Sequence, residues 1–138
     1  MLTIDGSYGE GGGQILRSTL TLAAVTGRAV RVIKIRANRS NPGLHPQHLT
    51  AVRAAAAICN ADLEGDALDS QVLTFVPQSP PQAGDYAFDV TEVAGRGSAG
   101  SVTLVLQTVL LPLALAVGKS TLTLRGGTAV PMSPPVPF

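Results

Sequence analysis

Apolar and polar positions change period several times along the chain. Leu2–Asp5 reads as a short strand. Ile15, Leu16, Leu20, Leu22, Ala23 and Val25 then fall at helical spacing and predict a helix over Gly11–Thr26, closed by Gly27 as its C-cap. Ala29–Ile35 is rich in β-branched residues and predicts a second strand. A polar loop, Arg36–Pro46, leads to a second helix over Gln47–Asn60, with Leu49, Val52, Ala56 and Cys59 on one face. Two short strands follow near Ala61–Glu64 and Val72–Val76, then a turn-rich link, Pro77–Gly84.

The order then begins again. Tyr86, Phe88 and Val90 alternate with Asp85, Ala87 and Asp89, the mark of a half-buried strand. A loop with Gly95, Gly97 and Gly100 precedes an apolar helix that closes at Gly118, and Ser120–Leu124 reads as the next strand. Gly9 to Gly27 has the same length as Gly100 to Gly118, and Arg36 to Pro42 the same spacing as Arg125 to Pro131. Two matching intervals in one register predict an internal duplication. The expected architecture is α+β, with repeated β-α-β-α-β-β units of two helices on a four-stranded sheet. Residues 1–78 form one complete unit and residues 79–138 a partial second unit of the same domain. A partial unit needs cover from more chain or from a partner, a homo-oligomer included.

Composition narrows the function classes. Hydrophobic residues make up 45% of the 138 positions, enough for a core, while aromatics are 4% with no Trp. The formal net charge is +1, so anion binding must come from local clusters. Val102–Val117 is too short for the roughly 20 residues of a membrane span and carries Thr103, Gln107, Thr108 and Pro112; a buried helix is expected. One cysteine, Cys59, forms no internal disulfide. With no basic-then-apolar leader before Leu2, the expected compartment is the cytoplasm.

Three stretches carry candidate chemistry. In Gly9-Glu10-Gly11-Gly12-Gly13-Gln14-Ile15-Leu16-Arg17, a glycine loop runs from a strand into a helix N-terminus, where free N–H groups attract anions. It lacks the residues of a Walker A loop and fails G-x-G-x-x-G. Glu10 would repel a phosphate unless a divalent cation lies between them, with Arg17 as a phosphate clamp. Alternatively, Glu10 serves the helix dipole and the glycines only turn. Between Arg36 and His48, two arginines, two histidines and Gln47 lead into a helix start, which suits phosphate contacts or, more plainly, a solvated basic loop. His45 and His48 lack convincing zinc-site spacing. Ser98 or Ser101 can cap the apolar helix, where a buried Gln107 amide would bond a neighbouring backbone group or read a base edge. Asp62, Glu64, Asp66 and Asp69 read as a solvated acidic stretch.

DGSYGEGGGQILR (Asp5–Arg17), RANRSNPGLHPQHLTA (Arg36–Ala51), GSAGSVTLVLQT (Gly97–Thr108) and LRGGT (Leu124–Thr128) together resemble the RNA 3'-terminal phosphate cyclases. The resemblance runs from Asp5 to about Pro135 and is closer to the catalytic branch than to the ribosome-biogenesis branch, which departs from GEGGGQ. It implies repeat units similar to the C-terminal domain of translation initiation factor 3. It also implies ATP-dependent conversion of RNA 3'-phosphate ends to 2',3'-cyclic phosphates with Mg2+ or Mn2+, through an adenylated histidine.

By position, the resemblance makes Glu10 a metal ligand and places Arg17, Arg39 and Gln47 on the ATP triphosphate. It sets Gln107 in the adenosine pocket, Pro131 near the nucleotide, and Arg36 and His48 as supporting polar residues. The family's nucleophilic histidine is expected downstream of this N-terminal portion, so this chain alone is expected to form no AMP adduct. A non-catalytic RNA- or nucleotide-binding module, a ribosome-biogenesis cyclase-like protein, or one half of a split enzyme are the other readings.

Overall fold

The computed structural model describes residues 1–9, 12–91 and 101–126. Glu10, Pro131 and the loop with Gly95, Gly97, Ser98 and Gly100 lie outside them. The elements run β1 (Leu2–Asp5), α1 (Gln14–Thr26), β2 (Val30–Ile33), α2 (Pro46–Cys59), β3 (Asp62–Glu64), β4 (Leu73–Val76), β5 (Asp85–Asp89), α3 (Ser101–Leu115) and β6 (Thr121–Arg125). This is the expected α+β order, with boundaries moved by backbone chemistry. β2 ends at Ile33 rather than Ile35, because Lys34 turns into the left-handed region at φ 53°. α1 starts at Gln14, with Gly13 as its N-cap, and ends on the left-handed Gly27.

The first sheet has the order β1-β2-β4-β3, parallel between β1 and β2 and antiparallel elsewhere. Val30, Val32, Leu73 and Phe75 point inward and pack with Leu16, Leu20, Leu49, Val52 and Cys59 of the two helices. Arg31 points outward, so this mixed sheet covers one face only. A separate parallel pair, β5-β6, sets Tyr86, Phe88, Leu122 and Leu124 against Val105, Val109 and Leu113 of α3.

Helix α2 stands between the two cores. Leu49, Val52, Ala55 and Cys59 belong to the first, Ala51, Ala54 and Ile58 to the second. Alanine on both faces lets a helix approach two neighbours closely, and this explains the buried Ala54–Ala56 run better than a single apolar stripe does.

The ends of β1 and β5 share a hydrogen-bond pattern. Asp5 Oδ1 accepts from the Ser7 amide at 2.9 Å and from its hydroxyl; Asp89 Oδ1 does the same with Thr91. The next amides, Gly6 and Val90, donate to Ile33 and Arg125 carbonyls. The register needs one correction. Asp5 pairs with Ile33 and Asp89 with Arg125, so Ile33, not Arg36, is the structural counterpart of Arg125. Arg36 already lies in the following loop.

Pro112 sits inside α3. Having no N–H, it cannot bond the Thr108 carbonyl one turn back. The Thr21 hydroxyl of α1 lies 2.8 Å from that carbonyl and 3.0 Å from the Arg17 carbonyl, and shares its one proton between them. The proline that interrupts α3 therefore ties it to α1. Among the described residues, no helix is long and apolar enough to cross a membrane.

Candidate functional site

The site lies where the glycine loop enters α1 and the β2–α2 loop folds over it. Gly12 and Gly13 have no side chain, and charged groups occupy that space. A Cβ on Gly12 would lie 2.9 Å from an Arg39 guanidinium nitrogen. A Cβ on Gly13 would lie 2.6 Å from His48 Nε2 and 2.7 Å from Arg17 Nη1. These glycines therefore admit three side chains to the start of the helix, where N–H groups lack intrahelical partners.

An open cleft of about 580 Å3 is lined by Tyr8, Gly9, Gly12, Gly13, Gln14, Ile15, Arg17 and Arg39. A second, of about 380 Å3, runs between α1 and α3 past Ser18, Thr21, Gln107 and Leu111. Gln14 and Arg17 line both, so the clefts meet at these two side chains. Arg17 donates to Gln14 Oε1 at 3.0 Å. Among the described residues, its Nε is buried and meets no hydrogen-bond partner. Burial pulls the Arg17 guanidinium below its ordinary pKa.

The β2–α2 loop is held by Arg36. Its Nη1 donates to the Asn41 carbonyl at 2.6 Å and the Gly43 carbonyl at 3.0 Å. Arg36 itself is left-handed at φ 50°. Gly43 is required at its position: φ is 87°, and a Cβ would come within 2.2 Å of the Asp69 carbonyl oxygen. Burial and the nearby Arg39 charge both lower the Arg36 pKa.

Helix α2 opens on His45 and Pro46. His48 is 4% exposed, and its Nδ1 accepts from the His45 amide at 3.0 Å. Burial first, then Arg36, His45 and Arg17, push its pKa down to about 3. His48 is thus neutral at ordinary pH, with its proton on Nε2 facing Gly13. Gln47 lies beside it in the first turn of α2, half-buried.

The structure brings Arg17, Arg39 and His48 together around the glycine loop and sets Arg36 behind them. Gln107 differs from expectation. It is exposed on the cleft side of α3, and the buried polar residue of that helix is Thr108. The face containing Val105, Thr108 and Val109 packs inward and turns Gln107 out. Sequence patterning does not single out Gln14; its i,i+3 spacing to Arg17 is the signal that carries it.

In the acidic stretch, Asp66 faces Arg53 at 3.7 Å and Asp62 accepts from Gln78. Cys59 is buried, its thiol pushed up to about 11 by burial. Among the described residues, no cluster of three metal-ligating side chains occurs.

The profile of the RNA 3'-terminal phosphate cyclase family matches residues 8–138. The chain is 61% identical over its full length to an RNA 3'-terminal phosphate cyclase of Gloeothece citriformis. It is 62% identical to one of Nostoc sp. and 51% to one of Archaeoglobus fulgidus, again over all of this chain. It spans 39% of the length of the first of these relatives and 40% of the other two. A match over nearly the whole chain, joined to a cleft built from the glycine loop and the arginines of those motifs, leads to one assignment: the chain belongs to the RNA 3'-terminal phosphate cyclase family.

Proposed function

We propose that this chain supplies the nucleotide-binding part of an enzyme that converts RNA 3'-phosphate ends to 2',3'-cyclic phosphates with ATP. The observation that carries the reading is the pair of clefts meeting at Arg17. One presents Arg17 and Arg39 beside a helix N-terminus and suits a polyphosphate. The other presents the Gln107 amide beside Leu111 and suits a nucleoside. The buried Arg17 Nε, without a partner among the described residues, fits an anionic ligand that completes the site.

Arg17 and Arg39 hold the triphosphate, with Gln47 at the adjoining helix start. Gln107 faces the adenosine, and Pro131 belongs to the nucleotide's surroundings. Glu10 would hold Mg2+ or Mn2+, and a single carboxylate beside a bound triphosphate is a donor set that magnesium accepts. The bound metal would neutralise charge on the triphosphate. The chain's own cations hold the phosphates in place and stabilise the charge that develops as pyrophosphate leaves.

Neither of the two histidines is placed to take AMP. His48 is buried, and His45 Nε2 donates to the Asn41 carbonyl. The nucleophile belongs to another part of the enzyme. The compartment proposed is the cytoplasm, where Cys59 stays reduced.

Calorimetric titration of the chain with ATP, inorganic tripolyphosphate and two RNA oligonucleotides, one ending in a 3'-phosphate and one in a 3'-hydroxyl, tests the reading. ATP is expected to bind more tightly with Mg2+ than without it. Binding of RNA alone, with no response to ATP, would make the chain an RNA-binding module instead.

A further inference from the structure

Arg36 and His48 flank the cleft but do not line it, whereas Arg39 and Arg17 do. Hydrogen bonds join Arg36, His45, His48 and the Arg39 backbone, and His48 and Arg17 crowd the same space beside Gly13. The Asn41 carbonyl accepts from Arg36 Nη1 at 2.6 Å and from His45 Nε2 at 2.8 Å. The His45 amide donates to His48 Nδ1 at 3.0 Å. His48 Nε2 and Arg17 Nη1 then lie within 2.7 Å of the same point beside Gly13. At the other end, the Arg39 amide donates to the Arg36 carbonyl at 3.1 Å, closing the turn that places Arg39 over Gly12.

We propose that Arg36, His45 and His48 form a hydrogen-bonded relay through the Asn41 carbonyl that positions Arg39 and Arg17 around the glycine loop, without itself touching the bound anion. The proposal rests on the reading of the cleft as an anion site. It assigns His48 the work of a fixed, neutral wedge. An acceptor at Nδ1 and a compact edge against Gly13 are what the position needs. A charged imidazolium there would stand among Arg17, Arg36 and His45. Arg36 likewise spends its guanidinium on two loop carbonyls rather than on a ligand.

Two replacements separate this role from direct contact. The His48→Asn amide oxygen can take the place of Nδ1 and accept from the His45 amide; the longer His48→Gln side chain cannot hold that acceptor in place. Nitrogen-15 NMR of the full chain reads the His48 tautomer and the Arg17 Nε–H signal with no ligand present. Calorimetry with inorganic tripolyphosphate reads the anion site. The expected result is a bare Nδ1 and protonated Nε2 on His48. The Arg17 Nε–H signal should move less in His48→Asn than in His48→Gln, with affinity reduced no more than threefold in the first and tenfold or more in the second.

A proton on His48 Nδ1 at neutral pH, or an Arg17 signal that ignores both replacements, overturns the relay. Failure of the unaltered chain to bind tripolyphosphate overturns the anion-site reading, and with it the ligand-positioning role. The tautomer and the Arg17 signal still decide whether the relay exists, so the two failures are distinguishable.

Discussion

His48 and Gly13 share one small volume: the imidazole Nε2 lies 2.6 Å from where a Gly13 Cβ would stand. At Gly12 the neighbour is instead the far end of Arg39, at 2.9 Å. The two glycines therefore protect different things. A Cβ on Gly12 displaces a flexible guanidinium, whereas a Cβ on Gly13 meets a buried ring fixed by its hydrogen bond to the His45 amide.

Gly12→Ala and Gly13→Ala are predicted to part in their effects. Gly12→Ala should leave stability within about 0.5 kcal/mol while weakening ATP binding. Gly13→Ala should cost about 1–3 kcal/mol, as overpacking of a tight site does. Urea unfolding and calorimetry on both proteins check this. Equal loss of stability at the two positions would show that the side chains are not arranged as described.

His48 makes folding sensitive to acid. Its pKa is about 3 folded, against an ordinary value of 6.5. The unfolded chain therefore takes up the proton first, and stability falls as pH drops from 6.5 toward 3, with no dependence from this group above that window. Between pH 7 and pH 5 the loss is about 2 kcal/mol, at 1.36 kcal/mol per pKa unit. Unfolding at the two pH values should show this difference in the unaltered chain and not in His48→Asn. An equal pH response in both would assign the dependence to other groups.

Thr21→Val removes the hydroxyl that serves the Thr108 carbonyl above Pro112. The side chain keeps its shape, but a buried acceptor loses its donor. A loss of about 1–3 kcal/mol is expected in chemical denaturation. Restoring an N–H with Pro112→Ala in the same chain should recover part of it. No recovery would mean that the α1–α3 tie is not what the hydroxyl provides.

Incubation with radiolabelled ATP and Mg2+, followed by denaturing electrophoresis, is expected to leave this chain unlabelled. Both its histidines are engaged in hydrogen bonds at the base of the loop. A labelled band would place a nucleophile within these residues.

Much of this arrangement is legible in the sequence because it depends on local chemistry. Gly27 stops a helix, the alternation at Tyr86–Val90 makes a strand, and glycines before Gln14 open a helix N-terminus. Questions of facing are less legible. Alanine is at home on either side of a helix, so α2 between two cores does not differ on paper from a helix with one apolar stripe. Gln107 and Thr108 are neighbours, and the packing of α3 decides which of them is buried. Arg36 and Arg39 look alike as loop arginines, yet the left-handed turn at Arg36 folds its side chain back onto the loop. The Arg36–Arg125 spacing misleads because β2 ends at Ile33, ahead of the arginine it is read as carrying.

The central claim is that Arg17 and Arg39 jointly hold a nucleotide's phosphates over the glycine loop. Calorimetric titration of ATP and Mg2+ into Arg17→Ala and Arg39→Ala chains tests it most directly. Loss of a charge-assisted contact worth about 1.5–3 kcal/mol predicts at least a tenfold weaker affinity in each, with the fold intact by circular dichroism. Affinity equal to that of the unaltered chain in both variants would contradict the account.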